Sequence, residues 1–399
     1  MRIAYPDPHP VPDSAPEALQ ILQTADALAS LGHEVSVITP RPEGDADPAA
    51  VLGRPASDSL RLVHVADLRK RWWMPGRSNK GFQMQAAAWL RRNPVDALLV
   101  RNLKLADALL GDPACPPLFF ETHEIFAQTY REEHPRPDLR RRHKLRTLER
   151  REARVYAGSR GLLVLTDLLA QDVRSHYATA VPIHVAPDGV DLASAGAAAA
   201  SGTSAPNSVP VALYLGSLHP WKGVDTLVRA AALGGTWDLR IAGGDARRIA
   251  ELSALARSLG VGDRVRLIGP VAPAERFALI GRADVCLLPL TRTSIASRYT
   301  SPLKLFEYMA MGRPIVVADL PSIREVVRDG EHALLVPPED PAAIAAAVAR
   351  LAADPALRER LGRAAAALAP SYSWERRAER IAAFMAAELA APAAPVRGT

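Results

Sequence analysis

Two short segments hold residue types that could handle a phosphorylated sugar. The first is Ser301-Pro302-Leu303-Lys304-Leu305-Phe306-Glu307-Tyr308-Met309-Ala310-Met311-Gly312-Arg313-Pro314. Ser301 is a good N-cap and Pro302 suits a first helical turn. Gly312 and Pro314 end the helix. The free N–H groups of its first turn, with the helix dipole behind them, suit a phosphate. Glu307 lies one turn after Leu303, where a carboxylate can accept two sugar hydroxyls at once. The plainer alternative is a capped core helix in which Glu307 pairs with Lys304 at i, i+3.

The second segment is Leu215-Gly216-Ser217-Leu218-His219-Pro220-Trp221-Lys222-Gly223-Val224-Asp225. It follows an apolar strand and opens a helix. Gly216 lets a ligand approach the backbone, and Lys222 supplies a point charge for a diphosphate. Asp45-Ala46-Asp47 is a different candidate, a metal-binding carboxylate pair. Such a pair in a Pro/Gly loop is common by chance. Cys115 and Cys286, the only cysteines, are too few and too far apart for a disulfide framework or a zinc site.

Groups so far apart in sequence need rigid elements to hold them. Strand-sized apolar runs recur at 2–5, 34–39, 60–65, 96–100, 117–120, 161–165 and 183–186. They recur again at 210–215, 238–242, 264–268, 284–289, 314–317 and 333–336, with helix-period stretches between most of them. This alternation means α/β architecture, two doubly wound parallel sheets with helices on both faces. The 399 residues fit two to three domains at roughly 150 residues each. We expect a first domain over 1–192, a linker over 193–209, a second domain over 210–370, and a separate helix and tail over 371–399. The linker expectation rests on the uncharged Ala/Ser/Gly/Pro run from Ala193 to Pro210. Two such domains leave a cleft at the carboxyl ends of their strands as the natural ligand site. Trp374, Ala378, Ile381, Met385 and Leu389 form the apolar stripe of the last helix.

Taken together and in order, these segments resemble the retaining nucleotide-sugar glycosyltransferases of family 4, which have the two-domain GT-B fold. Pro187-Asp188-Gly189-Val190-Asp191, Ile241-Ala242-Gly243-Gly244 and Ser373-Trp374-Glu375 add to the resemblance. It implies two Rossmann-like domains facing a central cleft, with the last helix crossing back to the first. It implies Lys222 on the donor diphosphate, with Gly216, Ser217, Arg298, Ser301, Leu303 and Lys304 around it. Glu307 would bind the ribose hydroxyls, and Gly243, Gly269 and Val271 would lie at ribose and base. His123, in Glu121-Thr122-His123-Glu124, falls where the family often has a histidine near the donor sugar. Catalytic roles are thus expected of His123, Lys222 and Glu307.

Three departures stand out. Eight residues before Glu307, where the family has a first glutamate that contacts the transferred sugar, stands Tyr299. Ser217 replaces the arginine that often follows the phosphate-loop glycine; Arg298 or Arg292 could supply that charge. The usual glycine-rich loop after the first strand is Pro6-Asp7-Pro8-His9-Pro10-Val11-Pro12-Asp13, whose prolines remove N–H donors. The expected activity is hexosyl transfer from a nucleotide diphosphate sugar, a UDP-sugar ahead of a GDP-sugar, to a glycan or lipid-linked acceptor in cell-envelope or exopolysaccharide biosynthesis. No metal and no further cofactor are expected. The competing reading is a degenerate fold acting as a partner or scaffold subunit.

The formal charge of +6 hides two basic segments. Residues 69–92 carry +7, and residues 131–154 carry +5. Arg69, Lys70, Arg71, Trp72 and Trp73 join cations to aromatics, which suits an anionic membrane surface. No nucleic-acid reading motif accompanies the charge. Without a targeting signal or an apolar run near ~18 residues, the expected place is the cytoplasm, peripheral to the inner face of the cytoplasmic membrane.

Overall fold

A computed structural model describes residues 1–13, 15–42, 44, 47–68, 79–201 and 207–392. The chain folds as two compact units. The first is Met1–Pro187 with the chain from Arg377 onward, and the second is Asp188–Arg376.

The first unit holds a parallel sheet in the order β3-β2-β1-β4-β5-β6-β7. Its strands are β1 (Arg2–Pro6), β2 (Glu34–Pro40), β3 (Leu60–Val65), β4 (Ala97–Val100), β5 (Leu118–Thr122), β6 (Gly161–Val164) and β7 (Ile183–Val185). The second unit repeats the pattern as β10-β9-β8-β11-β12-β13. These are β8 (Val211–Leu215), β9 (Asp238–Ala242), β10 (Val265–Gly269), β11 (Val285–Leu288), β12 (Ile315–Ala318) and β13 (Leu334–Val336). Every expected apolar run is a strand. In each sheet the order reverses beside the first strand, between β1 and β4 and between β8 and β11. In such sheets ligands bind outside the carboxyl ends of the strands at that point.

The continuous apolar runs are strands buried on both faces. Along β8, Leu213 and Leu215 face one core cluster with Leu305, Phe306 and Met309, while Ala212 and Tyr214 face another with Val224, Leu227 and Val228. One strand therefore carries, on opposite sides, the helices Leu303–Ala310 and Val224–Ala232 that follow the two chemical segments. The last backbone N–H of β8, at Leu215, donates to the Tyr308 hydroxyl at 3.0 Å.

The last helix, Trp374–Ala390, begins in the second unit and continues in the first. In the first unit Phe384 meets the edge of Phe119 at 5.8 Å and stacks on His184 at 5.2 Å. Trp374, Ala378, Ile381 and Met385 of the expected stripe are buried.

Two boundaries differ from expectation. Residues 193–200 are not linker: Leu192–Ala200 is a helix, capped by Asp191, which accepts the Ser194 N–H at 2.9 Å. Ala195 is buried in the core of the second unit. The alanines that suggested a flexible tether are the strongest helix formers. Asp188–Leu192 and residues 371–376 belong to the second unit, because Val190 and Ser373 pair as a parallel bridge. Gly189 is required there, since a Cβ would stand 2.6 Å from the Trp374 backbone nitrogen.

Gly189→Ala should lower unfolding free energy by about 2 kcal/mol, a typical overpacking cost. Gly196→Ala, where an added Cβ meets nothing within 4 Å, should raise it by about 0.5–1 kcal/mol if Leu192–Ala200 is helical. Denaturant titration checks both, and destabilisation by Gly196→Ala would contradict the helix.

Candidate functional site

In the second unit three strand ends are joined by their backbones. The Gly216 N–H donates to Ala242 O at 2.9 Å, and the Gly243 N–H to Gly269 O at 2.6 Å. A Cβ on Gly243 would lie 2.0 Å from Gly216 O, and its φ of 116° also disfavours side chains. The three glycines expected around the nucleotide are thus brought together at the carboxyl ends of β8, β9 and β10. Val271 follows in the loop after β10, packed against the core.

Lys222 ends a short 3₁₀ turn, Pro220–Lys222, in the loop after β8. Its Nζ lies 3.7 Å from the centroid of the Trp221 ring. Trp221 O accepts the Thr291 N–H at 3.1 Å and the Thr291 hydroxyl at 3.0 Å, which anchors this turn to the loop after the adjacent strand, β11. Burial, with the nearby Lys304 charge, pushes the Lys222 ammonium down to about 7. A lysine held in this way gains most from an arriving anion.

Helix Leu303–Ala310 presents its first turn beside this lysine pair. Its cap position is Pro302, not Ser301, and no side chain caps it. The Ser301 hydroxyl instead accepts the Asp188 N–H at 2.9 Å. A Ser-Pro pair leaves the serine one position too early to cap, so its oxygen ties the Pro187-Asp188-Gly189 turn to this helix. The N–H groups of Leu303 and Lys304 precede the first N–H that donates within the helix, that of Leu305 to Pro302 O at 2.8 Å.

Glu307 is 5% exposed. Its Oε2 accepts from Lys304 Nζ at 2.7 Å, and its Oε1 lies 3.3 Å from Arg276 Nε. The i, i+3 pair is therefore present, but within a larger cluster in which Lys222, Lys304 and Arg276 outnumber one carboxylate. Arg276 is 6% exposed, donates to Pro273 O at 2.8 Å and lies over the Phe277 ring. It links the loop after β10 to Glu307. Sequence reading missed it, although an arginine four residues before the core residue Ile280 is a charge on an apolar face.

Ser217 contributes its carbonyl to the Tyr214 hydroxyl at 2.6 Å. Arg298 and Tyr299 lie in a π-helical turn, Ile295–Tyr299. Tyr299, which stands where the family has its first glutamate, is fully buried. Arg292 is exposed and stands 3.7 Å from Glu339.

His123 belongs to the first unit and follows the end of β5. Its Nε2 is 2.6 Å from Glu121 Oε1, and its Nδ1 is 3.4 Å from an Arg101 nitrogen. A guanidinium only donates, so Nδ1 is the acceptor and Nε2 carries the proton. Glu121 also accepts from Gln20 at 2.7 Å and from Arg377 at 2.7 Å. Burial opposes its charge, but Arg377 and the His123 hydrogen bond hold it well below the usual carboxylate range. In the proline loop, His9 Nδ1 is 2.7 Å from the buried Asp7 carboxylate. That hydrogen bond raises His9 above the usual histidine value.

Arg69, Lys70, Arg71, Trp72 and Trp73 lie outside the described residues. Of the second basic segment, helix Leu139–Gly158 pairs Arg151 with Asp107 at 2.9 Å, while Leu139 and Arg140 through Lys144 are exposed. Asp47 caps helix Pro48–Leu52, and the other two residues of the Asp-Ala-Asp motif are not described. Among the described residues no cluster of three His, Cys, Asp or Glu side chains could hold a metal, and no helix is long and apolar enough to cross a membrane.

Two family profiles match. One, described as glycosyltransferase family 4, covers residues 18–194; the other, described as glycosyl transferases group 1, covers residues 209–354. The D-inositol 3-phosphate glycosyltransferase of Acidothermus cellulolyticus is 38% identical over 183 residues, 43% of this chain and 39% of that protein. Its counterpart from Actinosynnema mirum is 32% identical over 250 residues, 58% of each chain. The chain thus spans about two fifths to three fifths of the length of these curated relatives. Among solved structures, sucrose-phosphate synthase from Thermosynechococcus elongatus superposes with a TM-score of 0.80 at 20% identity, covering 98% of this chain and 100% of that one. Anabaena HepE in complex with UDP gives 0.72 at 16% identity, covering 97% and 100%.

If the cluster receives a diphosphate, binding must restore the charge of Lys222. Calorimetry of UDP binding at pH 8 in buffers of different ionisation enthalpy should show proton uptake, and affinity should fall as pH rises from about 7.5 to 9. Lys222→Met should abolish the uptake. Proton release at pH 8 would contradict the assignment.

Proposed function

Because the chain belongs to the family 4 glycosyltransferases and has their GT-B fold, we propose that it is a retaining glycosyltransferase using a nucleotide diphosphate sugar. The donor is a UDP-sugar in preference to a GDP-sugar. The acceptor is a glycan or a lipid-linked glycan of cell-envelope or exopolysaccharide synthesis. The observation that carries this reading is the cation cluster around Glu307, set at the strand ends of the second unit beside an uncapped helix start. HepE and its UDP support the choice of base. The relatives' name, an inositol phosphate glycosyltransferase, supports a hydroxyl-bearing acceptor.

Transfer needs the diphosphate to leave and an oxocarbenium-like sugar to be stabilised. Lys222 and Lys304, with the Leu303 and Lys304 N–H groups, neutralise the charge that grows on the leaving diphosphate. Glu307 accepts the two ribose hydroxyls, with Lys304 and Arg276 holding its carboxylate in place. The acceptor attacks the face that the diphosphate leaves, and a diphosphate oxygen takes its proton, so neither a protein base nor a metal is required. His123, with its Nε2–H held by Glu121, orients the donor sugar. Binding at an anionic membrane through Arg69–Trp73 would bring the enzyme to lipid-linked acceptors.

A screen of nucleotide sugars for hydrolysis and transfer tests the reading. Turnover should survive a chelator, and NMR of the product should show the donor's anomeric configuration. Lys222→Ala and Glu307→Ala should each lower turnover by about 10²-fold or more, the usual cost of losing one transition-state donor or its equivalent. Wild-type rates in both variants would overturn the site. The fully buried Tyr299, in place of the first glutamate, keeps the scaffold reading in play, and failure to bind UDP or GDP would favour it.

A further inference from the structure

We propose that Arg377 is a positioning residue for this reaction. It fixes the tautomer and orientation of His123 through Glu121 and ties both to the points where the chain passes between the units. The proposal rests on the role given to His123 above.

Arg377 carries a charge with 2% of its surface exposed, and all its described partners are in the first unit. Its Nε donates to the Thr24 hydroxyl at 3.2 Å. One terminal nitrogen donates to the carbonyls of Ala186 and of Pro187, the latter at 3.1 Å. The other donates to Glu121 Oε1 at 2.7 Å. Pro187 is the last residue before the chain leaves the first unit, and Arg377 is the first on its return. One guanidinium therefore holds both crossings and reaches the carboxylate beneath His123.

Glu121 Oε1 accepts from Arg377, Gln20 and His123, whereas Oε2 is buried without a hydrogen-bond partner. Three donors on one oxygen favour the ionised carboxylate, and burial works against ionisation. Arg377 supplies the compensating charge. With Glu121 ionised, His123 must donate from Nε2, which leaves Nδ1 as the acceptor facing Arg101. Without that charge the carboxyl can hold its own proton, donate to Nε2 and reverse the tautomer. A buried ion pair is a poor stability device, often matched by apolar residues of similar volume. What this pair supplies is geometry: the planar fork satisfies Thr24, two crossing carbonyls and Glu121 at once, which lysine cannot do.

The test uses the full-length chain with Arg377→Lys, which keeps the charge but loses the fork, and the charge-neutral double variant Glu121→Gln/Arg377→Met. We expect both to bind UDP with wild-type Kd, because the nucleotide residues belong to the second unit, while kcat for transfer falls roughly 10- to 100-fold. Long-range ¹H–¹⁵N NMR should show the Nε2–H tautomer of His123 kept in Arg377→Lys, where the charge remains, and replaced by a mixture in the charge-neutral double variant. Adding His123→Ala to either variant should cost no further activity. Wild-type kcat and tautomer in both variants, or losses that multiply with that of His123→Ala, would overturn the proposal. So would a parallel fall in melting temperature, UDP affinity and kcat, which marks a merely structural role. If His123→Ala alone leaves transfer at the wild-type rate, the role of His123 in the reaction fails, and an altered tautomer in the double variant would separate that failure from the positioning claim.

Discussion

In an all-parallel sheet every strand delivers its last residue to the same edge, and every return path runs through a helix on a face. Apolar side chains fill both faces, so polar groups that the fold must keep are driven to that edge. Both sheets of this protein obey the constraint. In the second, the ends of β8, β9, β10 and β11 and the first turn of Leu303–Ala310 place backbone donors, glycines and Lys222 within one region. In the first, the ends of β1 and β5 place Asp7, His9, Glu121 and His123, with Arg101 just after β4.

The two edges share an electrostatic pattern. Each contains a nearly buried carboxylate, Glu307 in one and Glu121 in the other, and each is paired with a nearly buried arginine, Arg276 or Arg377. A carboxylate in such a place stays ionised only with a counter-charge close by. The remaining charges differ in sense. Around Glu307 the cations are in excess, which suits an arriving diphosphate. Around Glu121 the hydrogen bonds converge on one oxygen and end at the His123 imidazole, which suits orienting a hydroxyl.

The strands were readable because burial on both faces writes continuous apolar runs such as Val211–Leu215 and Val285–Leu288. The stripe from Trp374 to Met385 was readable for the corresponding helical reason. Helix Leu192–Ala200 was misread because alanine is both a small linker-like residue and the best helix former, and the decisive capping contact of Asp191 with Ser194 is local and weakly marked. Ser301 was misassigned because a Ser-Pro pair fits a helix start in two registers. Lys222, Lys304 and Glu307 were found from motif spacing, and the structure brings the three together. Arg276 and Arg377 were hidden among 49 lysines and arginines. Arg377 did carry a signal: it sits three residues after Trp374 and four before Ile381, on the apolar stripe, where a charge needs a buried partner. That the partner would be Glu121 depends on contacts 256 residues apart in the chain, which no local pattern encodes.

The central claim is that the cation cluster around Glu307 holds a nucleotide diphosphate. A crystal structure of the protein with UDP tests it most directly. The account predicts the diphosphate on Lys222 Nζ and the Leu303 and Lys304 N–H groups, with both ribose hydroxyls on the Glu307 carboxylate. A nucleotide bound elsewhere, or bound with Glu307 still turned wholly to Lys304 and Arg276 and its ribose untouched, would contradict it.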